Sequence, residues 1–107
     1  MFMAQFPVYR NKNAQTRGAI PCVVDIQSGI LDHLDTRVVI PLAKVKSFGG
    51  PPSETLKPEF EIDGERLILL TPLLAGVSKK ILGPEVGSLA AHGFEIVAAL
   101  DLIVSGV

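Results

Sequence analysis

Apolar residues come as short runs over the first 80 positions, split by Gly, Pro, Asp and Ser, and as one long helical pattern at the end. Short runs broken by such residues predict strands and turns. Phe6 and Val8 alternate with Pro7 and Tyr9, which predicts a first strand over 5–9. A second is expected over 20–27, with Cys22, Val24 and Ile26 on one face and Val23, Asp25 and Gln27 on the other. A third covers 37–42 and is expected to end at Pro41, because proline cannot donate to a ladder. Asp63-Gly64 lies between two alternating segments and predicts a type I′ hairpin, whose central residues both need positive φ. Leu67 to Leu70 is uniformly apolar and reads as a strand buried on both faces, ended or bent by Thr71-Pro72. After Gly83-Pro84 a helix is expected: Pro84 suits its first turn and Glu85 its positive end. From Phe94 the periodicity is strong. Phe94, Val97, Ala98, Asp101 and Leu102 share one stripe, and Ile96, Ala99, Leu100 and Ile103 widen the apolar surface. So much apolar helix exceeds what one small sheet covers, and a second copy is the simplest cover for it.

The chain has 107 residues, 48% of them hydrophobic and 20% charged. That is one domain, 1–107, with roughly 65% of its unfolded surface buried on folding. Ten basic and eleven acidic residues leave a net charge of −1, so there is no overall basic field to hold nucleic acid. Cys22 is the single cysteine, which excludes an internal disulfide and fits a reducing compartment. In its apolar strand it reads as a small buried hydrophobe. Phe94 to Val107 is too short to span a bilayer and is interrupted by Glu95 and Asp101. No leader is visible ahead of the first strand, so a cytoplasmic location is expected, with Met1 or Met3 as the start.

Candidate chemistry is thin. His33, Asp35 and Arg37 share a face if their segment is extended, and a His, a carboxylate and an Arg can serve acid–base work on a phosphodiester. A plain polar connection between strands has the same composition, and the missing basic groove favours it. His92 reads as a surface or packing residue near the helix start. The acids Glu54, Glu59, Glu61, Asp63 and Glu65 read as the wet face of a hairpin, and 10–18 as a solvated basic loop. No cofactor or metal site is expected. From the residues alone the chain is a small β-rich dimer with a terminal helix.

Several pieces, however, stand in a telling order. Gln5-Phe6-Pro7-Val8-Tyr9, Val24-Asp25-Ile26-Gln27-Ser28-Gly29-Ile30-Leu31-Asp32, Arg37-Val38-Val39-Ile40-Pro41-Leu42-Ala43, Ile81-Leu82-Gly83-Pro84-Glu85-Val86 and the helix closing on Gly106-Val107 resemble the CcdB toxin family, from about Gln5 to Val107. The resemblance implies a mainly β, SH3-like barrel of the CcdB/MazF type with a C-terminal helix, forming a homodimer. It implies a toxin of a toxin–antitoxin module, not an enzyme, that binds DNA gyrase through its A subunit, trapping the cleaved-DNA complex. A CcdA-like antitoxin would neutralise it and with it repress the shared operon, so operator DNA would be met only through that complex. The gyrase-binding residues so implied are Ile30, Leu31, Asp101, Ser105, Gly106 and Val107. The family's familiar ending is Trp-Gly-Ile; here it is Ser105-Gly106-Val107, and the chain has no Trp. Asp101 stands where the family has Asn. Two alternatives follow: a MazF-type endoribonuclease using His33, Asp35 and Arg37, and an attenuated homologue with a different target because the Trp is Ser105.

Overall fold

The computed structural model describes residues 6–27, 33–47 and 56–105. Seven strands form one antiparallel sheet: β1 (Pro7–Asn11), β2 (Cys22–Asp25), β3 (Thr36–Lys44), β4 (Glu59–Ile62), β5 (Glu65–Leu69), β6 (Ala75–Ser78) and β7 (Leu82–Ser88). A single α-helix, α1 (Gly93–Ser105), follows among the described residues. The strand order is β4-β5-β3-β2-β1-β7, with β6 added to β3 beside β5. The sheet curls into a half-barrel consistent with an SH3-like barrel. The curl shows in the side chains: Phe60 and Ile62 of β4 share one core with Phe6 and with Val8 of β1, although three strands separate β4 from β1 in the sheet. Arg10 of β1 likewise reaches Asp63 in the β4–β5 turn, Nη2 to Oδ2 at 2.8 Å.

The core follows the period-2 pattern. Val8, Cys22, Val24, Ile40, Leu42, Leu67 and Leu69 point inward, and Ile96 of α1 joins them. The opposite face of β3 and β5 carries a smaller cluster of Ala43, Ile68 and Leu70, with Ile20 packed on it. That second cluster is why Leu67 to Leu70 can be apolar without interruption: all four are buried. The hairpin also forms as its sequence requires, with Asp63 at φ 53° and Gly64 at φ 81°.

Two expectations give way. β3 does not end at Pro41; it runs to Lys44 through the middle of the sheet. β5 pairs with residues 42–44 of β3 and β6 with residues 36–39 of the same edge. Pro41 falls in the gap between the two, where its carbonyl still accepts the Leu70 N–H at 2.9 Å and no donor is required. The helix does not begin at Pro84. Residues 82–88 are strand β7, pairing with β1 through register shifts between Val8 and Tyr9 and between Tyr9 and Asn11. Bulges and edge strands are where Pro and Gly belong in a sheet. The hydrogen-bonding edge of β1 outweighs the local helix signal. The helical periodicity left two apolar stripes on α1 without choosing between them, and the one through Phe94 is not the packed face. α1 buries Ile96 and Ala99 and half-buries Leu100 and Ile103, a stripe of the same spacing that carries no charge. β6, which the sequence pattern does not announce, and the short 3₁₀ turn Thr71–Leu73 complete this side.

Gly83 sits at the second irregularity of β7, where an added Cβ would lie 2.9 Å from Arg10 Cβ and 3.1 Å from the Arg10 carbonyl oxygen. Gly87 in the same strand has nothing within 4 Å. Gly83→Ala is therefore expected to lower unfolding stability by about 1–3 kcal/mol, whereas Gly87→Ala stays near neutral; urea titration of both variants measures the difference.

Candidate functional site

Two segments were expected to meet a target: the stretch holding Ile30 and Leu31, and the end of the terminal helix. Ile30, Leu31, Gly106 and Val107 lie outside the described residues. The structure does describe the last turn of α1 and both stems of the 28–32 stretch.

Asp101 and Ser105 are four residues apart on α1, and both are exposed. The Ser105 hydroxyl donates to the Asp101 carbonyl oxygen at 2.7 Å. A serine near a helix end commonly satisfies itself on the carbonyl one turn back. Position 105 therefore presents a small, internally bonded hydroxyl at the outer surface. Beside it Val104 is 85% exposed. α1 carries Glu95 and Asp101 and no Lys or Arg, so the helix itself is apolar and acidic.

The stems of the 28–32 stretch are held by a buried polar network that the sequence pattern alone does not reveal. Asp25, 4% exposed, accepts from Arg37 Nε at 2.8 Å through Oδ2. Its Oδ1 accepts the Gln27 N–H at 2.9 Å. The Gln27 side-chain oxygen accepts the Val38 N–H at 2.8 Å, and the Ile26 N–H donates to the Val38 carbonyl at 3.0 Å. Gln27 thus prolongs the β2–β3 ladder by one rung with its side chain. One signal for this was present: a carboxylate inside an apolar strand requires a charged partner, and Arg37 stands near the start of the next strand. The same pair decides the fate of the His33, Asp35 and Arg37 grouping. His33 and Asp35 are exposed, while Arg37 turns inward to Asp25. The three do not form one reactive cluster.

The remaining candidates take structural places. His92 packs its ring on Phe60, centroids 4.8 Å apart, with Nδ1 3.3 Å from Glu95 Oε1. Three of the hairpin acids pair with bases: Glu59 with Arg66 at 3.0 Å, Asp63 with Arg10 and Glu65 with Lys44 at 3.9 Å. Glu54 lies outside the described residues. Cys22 is buried, and burial pushes its thiol pKa up, the nearby Arg10 guanidinium opposing this only in part.

Arg37→Ala leaves Asp25 buried without its cation and is expected to cost about 3–5 kcal/mol, read as a fall in the urea midpoint. Native Cys22 is expected to resist a disulfide thiol reagent at pH 8 and to react fully once unfolded. With its folded pKa raised, the thiolate forms first in the unfolded chain, so stability contributed by the neutral thiol falls as pH rises past the ordinary thiol range; unfolding titrations across that range check the sign.

The half-barrel, the helix packed through Ile96, and the order of the strand motifs can be set beside known families. The sequence profile of one family, described as CcdB protein, matches residues 5–106. That span takes in every described element, and the chain belongs to the CcdB family.

Proposed function

We propose that the protein is the toxin of a toxin–antitoxin module and that it acts by binding DNA gyrase rather than by making or breaking a bond. The observation that carries this reading is the family match across 5–106. In this reading a homodimer presents its helix ends, with Asp101, Ser105, Gly106 and Val107, together with Ile30 and Leu31. The surface that receives them is the A subunit of DNA gyrase, which is thereby trapped on cleaved DNA. A CcdA-like antitoxin covers the toxin, and the pair represses the operon, so operator DNA is contacted through the antitoxin. The module works in the cytoplasm. No helix among the described residues is long and apolar enough to cross a membrane.

Local features support the reading. The end of α1 is exposed and apolar at Val104, as a docking element requires. Leu73, 54% exposed, and Leu74 lie in and just after the turn against which α1 packs, and a second copy is the natural cover for them. The inward turn of Arg37 to Asp25 weighs against the endoribonuclease alternative.

Attenuation is a second reading with its own observation. Ser105 has a bonded hydroxyl where the family presents an aromatic ring. A desolvated cation–π contact is worth about 2 kcal/mol, or roughly thirtyfold in affinity.

Induced expression is expected to arrest growth with gyrase-linked DNA breaks and intact cellular RNA. Ser105→Trp is expected to inhibit purified gyrase at roughly thirtyfold lower concentration. Arrest with cleaved RNA and no DNA breaks assigns the ribonuclease reading instead; a harmless parent made lethal by Ser105→Trp assigns attenuation.

A further inference from the structure

The basic loop after β1 is built more firmly than a solvated turn requires. Asn11, 7% exposed, closes it from inside. Its Nδ2 donates to Thr16 Oγ1 and to the Ile20 carbonyl, both at 2.9 Å, and its Oδ1 accepts the Asn13 N–H at 3.0 Å. Asn13 Oδ1 in turn accepts the Gln15 N–H at 3.0 Å, and the Asn13 carbonyl accepts the Arg17 N–H at 2.9 Å. The loop is also tied to a second basic segment. The Lys12 N–H donates to the Ile81 carbonyl at 2.9 Å, at the end of the 3₁₀ turn Lys79–Ile81. Lys12 Cγ lies over Gly83, 3.2 Å from where a Cβ would stand. Lys12, Arg17, Lys79 and Lys80 are thus gathered at one end of the β1–β7 pair, and all four are exposed. Among the described residues, no carboxylate stands within ion-pair distance of Lys12, Arg17 or Lys80. Two acids border the group: Asp35, whose carbonyl accepts the Lys79 N–H at 3.0 Å, and Glu85, opposite Tyr9.

The make-up of this end selects the partner. Residues 12–18 and 78–80 hold no aromatic and no large apolar side chain. Protein partners are anchored by such side chains, so an acidic polypeptide finds charge here and no anchor. Single-stranded nucleic acid is held by aromatic rings that stack its bases, and these residues offer none. Asn11, Asn13 and Ser78 direct their side-chain oxygens to nearby N–H groups, Ser78 Oγ accepting from Lys80 at 3.2 Å. They are engaged with the backbone rather than set to read base edges or ribose hydroxyls. What projects is positive charge on long side chains over a stapled backbone, the requirement for phosphate contact. We infer that the end of the sheet carrying Lys12, Arg17 and Lys80, with Lys79 adding a fourth charge, docks on the phosphate backbone of duplex DNA without reading its sequence. The net charge of −1 on the whole chain does not prevent this, because salt at 0.1 M confines each field to about 10 Å. The inference goes beyond the toxin reading, in which DNA is met through the antitoxin, and it does not rest on that reading.

The test is fluorescence anisotropy of the full chain with labelled DNA duplexes of about two helical turns and unrelated sequences. Three phosphate contacts give a slope of about −2.7 for log affinity against log salt, so binding is expected to weaken about 40-fold between about 50 and 200 mM salt. The duplexes are expected to bind within about twofold of one another. Lys12→Gln combined with Lys80→Gln is expected to reduce the slope by about 2 and to weaken binding about tenfold or more at the lower salt. Lys57→Gln combined with Arg66→Gln removes the same charge near the acidic β4–β5 hairpin, where Arg66 lies opposite Glu61, and is expected to leave the slope unchanged. None of these side chains is in the core, so an unchanged circular dichroism spectrum is expected for both variants. Binding that is flat in salt, or equal in the parent and the Lys12–Lys80 variant, overturns the inference. Tighter binding of polyglutamate assigns the face to an acidic polypeptide, and tighter binding of a single strand or of duplex RNA assigns it to those; each overturns the inference. A chain that binds duplex DNA with the expected slope but leaves gyrase uninhibited supports the inference and fails the toxin reading. Gyrase inhibition without salt-dependent DNA binding does the reverse.

Discussion

The placement of Ile96 and Ala99 in the open side of the curled sheet governs how the rest of the helix is presented. Both side chains are fully buried, and burying an isoleucine is worth about 1.5–3 kcal/mol. With that face fixed, helical geometry leaves no choice about the others. Phe94, Val97 and Asp101 must face outward, and Ser105 must end the helix on the outer side. The apolar character of α1 therefore divides into two stripes with different tasks. One closes the barrel, and the other is an offer to something outside it.

A similar economy operates at the other end of the sheet. Asp25 and Arg37 neutralise each other out of water, and Gln27 extends the ladder past the last regular rung. A buried ion pair contributes little net stability compared with apolar packing, but removing one member is severe. Its structural effect here is to hold Gln27 and Val38 at a fixed separation, so that the stretch between them starts and ends at defined points. Arg10 performs a related service between β1 and the β4–β5 turn, with a more exposed and weaker pair.

Much of this was readable from local chemistry. Asp63-Gly64 announced its turn because the φ requirement is intrinsic to two residues. Cys22 and Val24 announced the inner face of β2 because side chains alternate on a strand. The family order of motifs led to the half-barrel and its helix. What could not be read was set by distant partners. Pro41 is tolerated in a central strand only because β5 stops and β6 starts beside it, and neither boundary is visible in the residues around Pro41. Pro84-Glu85 carries a fair helix start, overruled by the unpaired edge of β1. The two helical stripes share one spacing, so periodicity found the helix but did not choose its face; the charge on Asp101 was the distinguishing mark. Of the six residues expected to meet a target, Asp101 and Ser105 are described and outward, and Ile30, Leu31, Gly106 and Val107 fall outside the described residues.

Pro84 has a bearing on how this molecule can associate at all. It occupies β7, the last strand of the sheet order, together with the register shift at Gly83. At the other margin β4 alternates Glu59 and Glu61 with its inward residues, and β6 is only four residues long. Backbone zippering of a foreign strand onto any of these margins is thus discouraged by a missing donor, by acidic side chains or by sheer brevity. Among the described elements, recognition is thus left to side chains projecting from the helix and turns rather than to strand pairing.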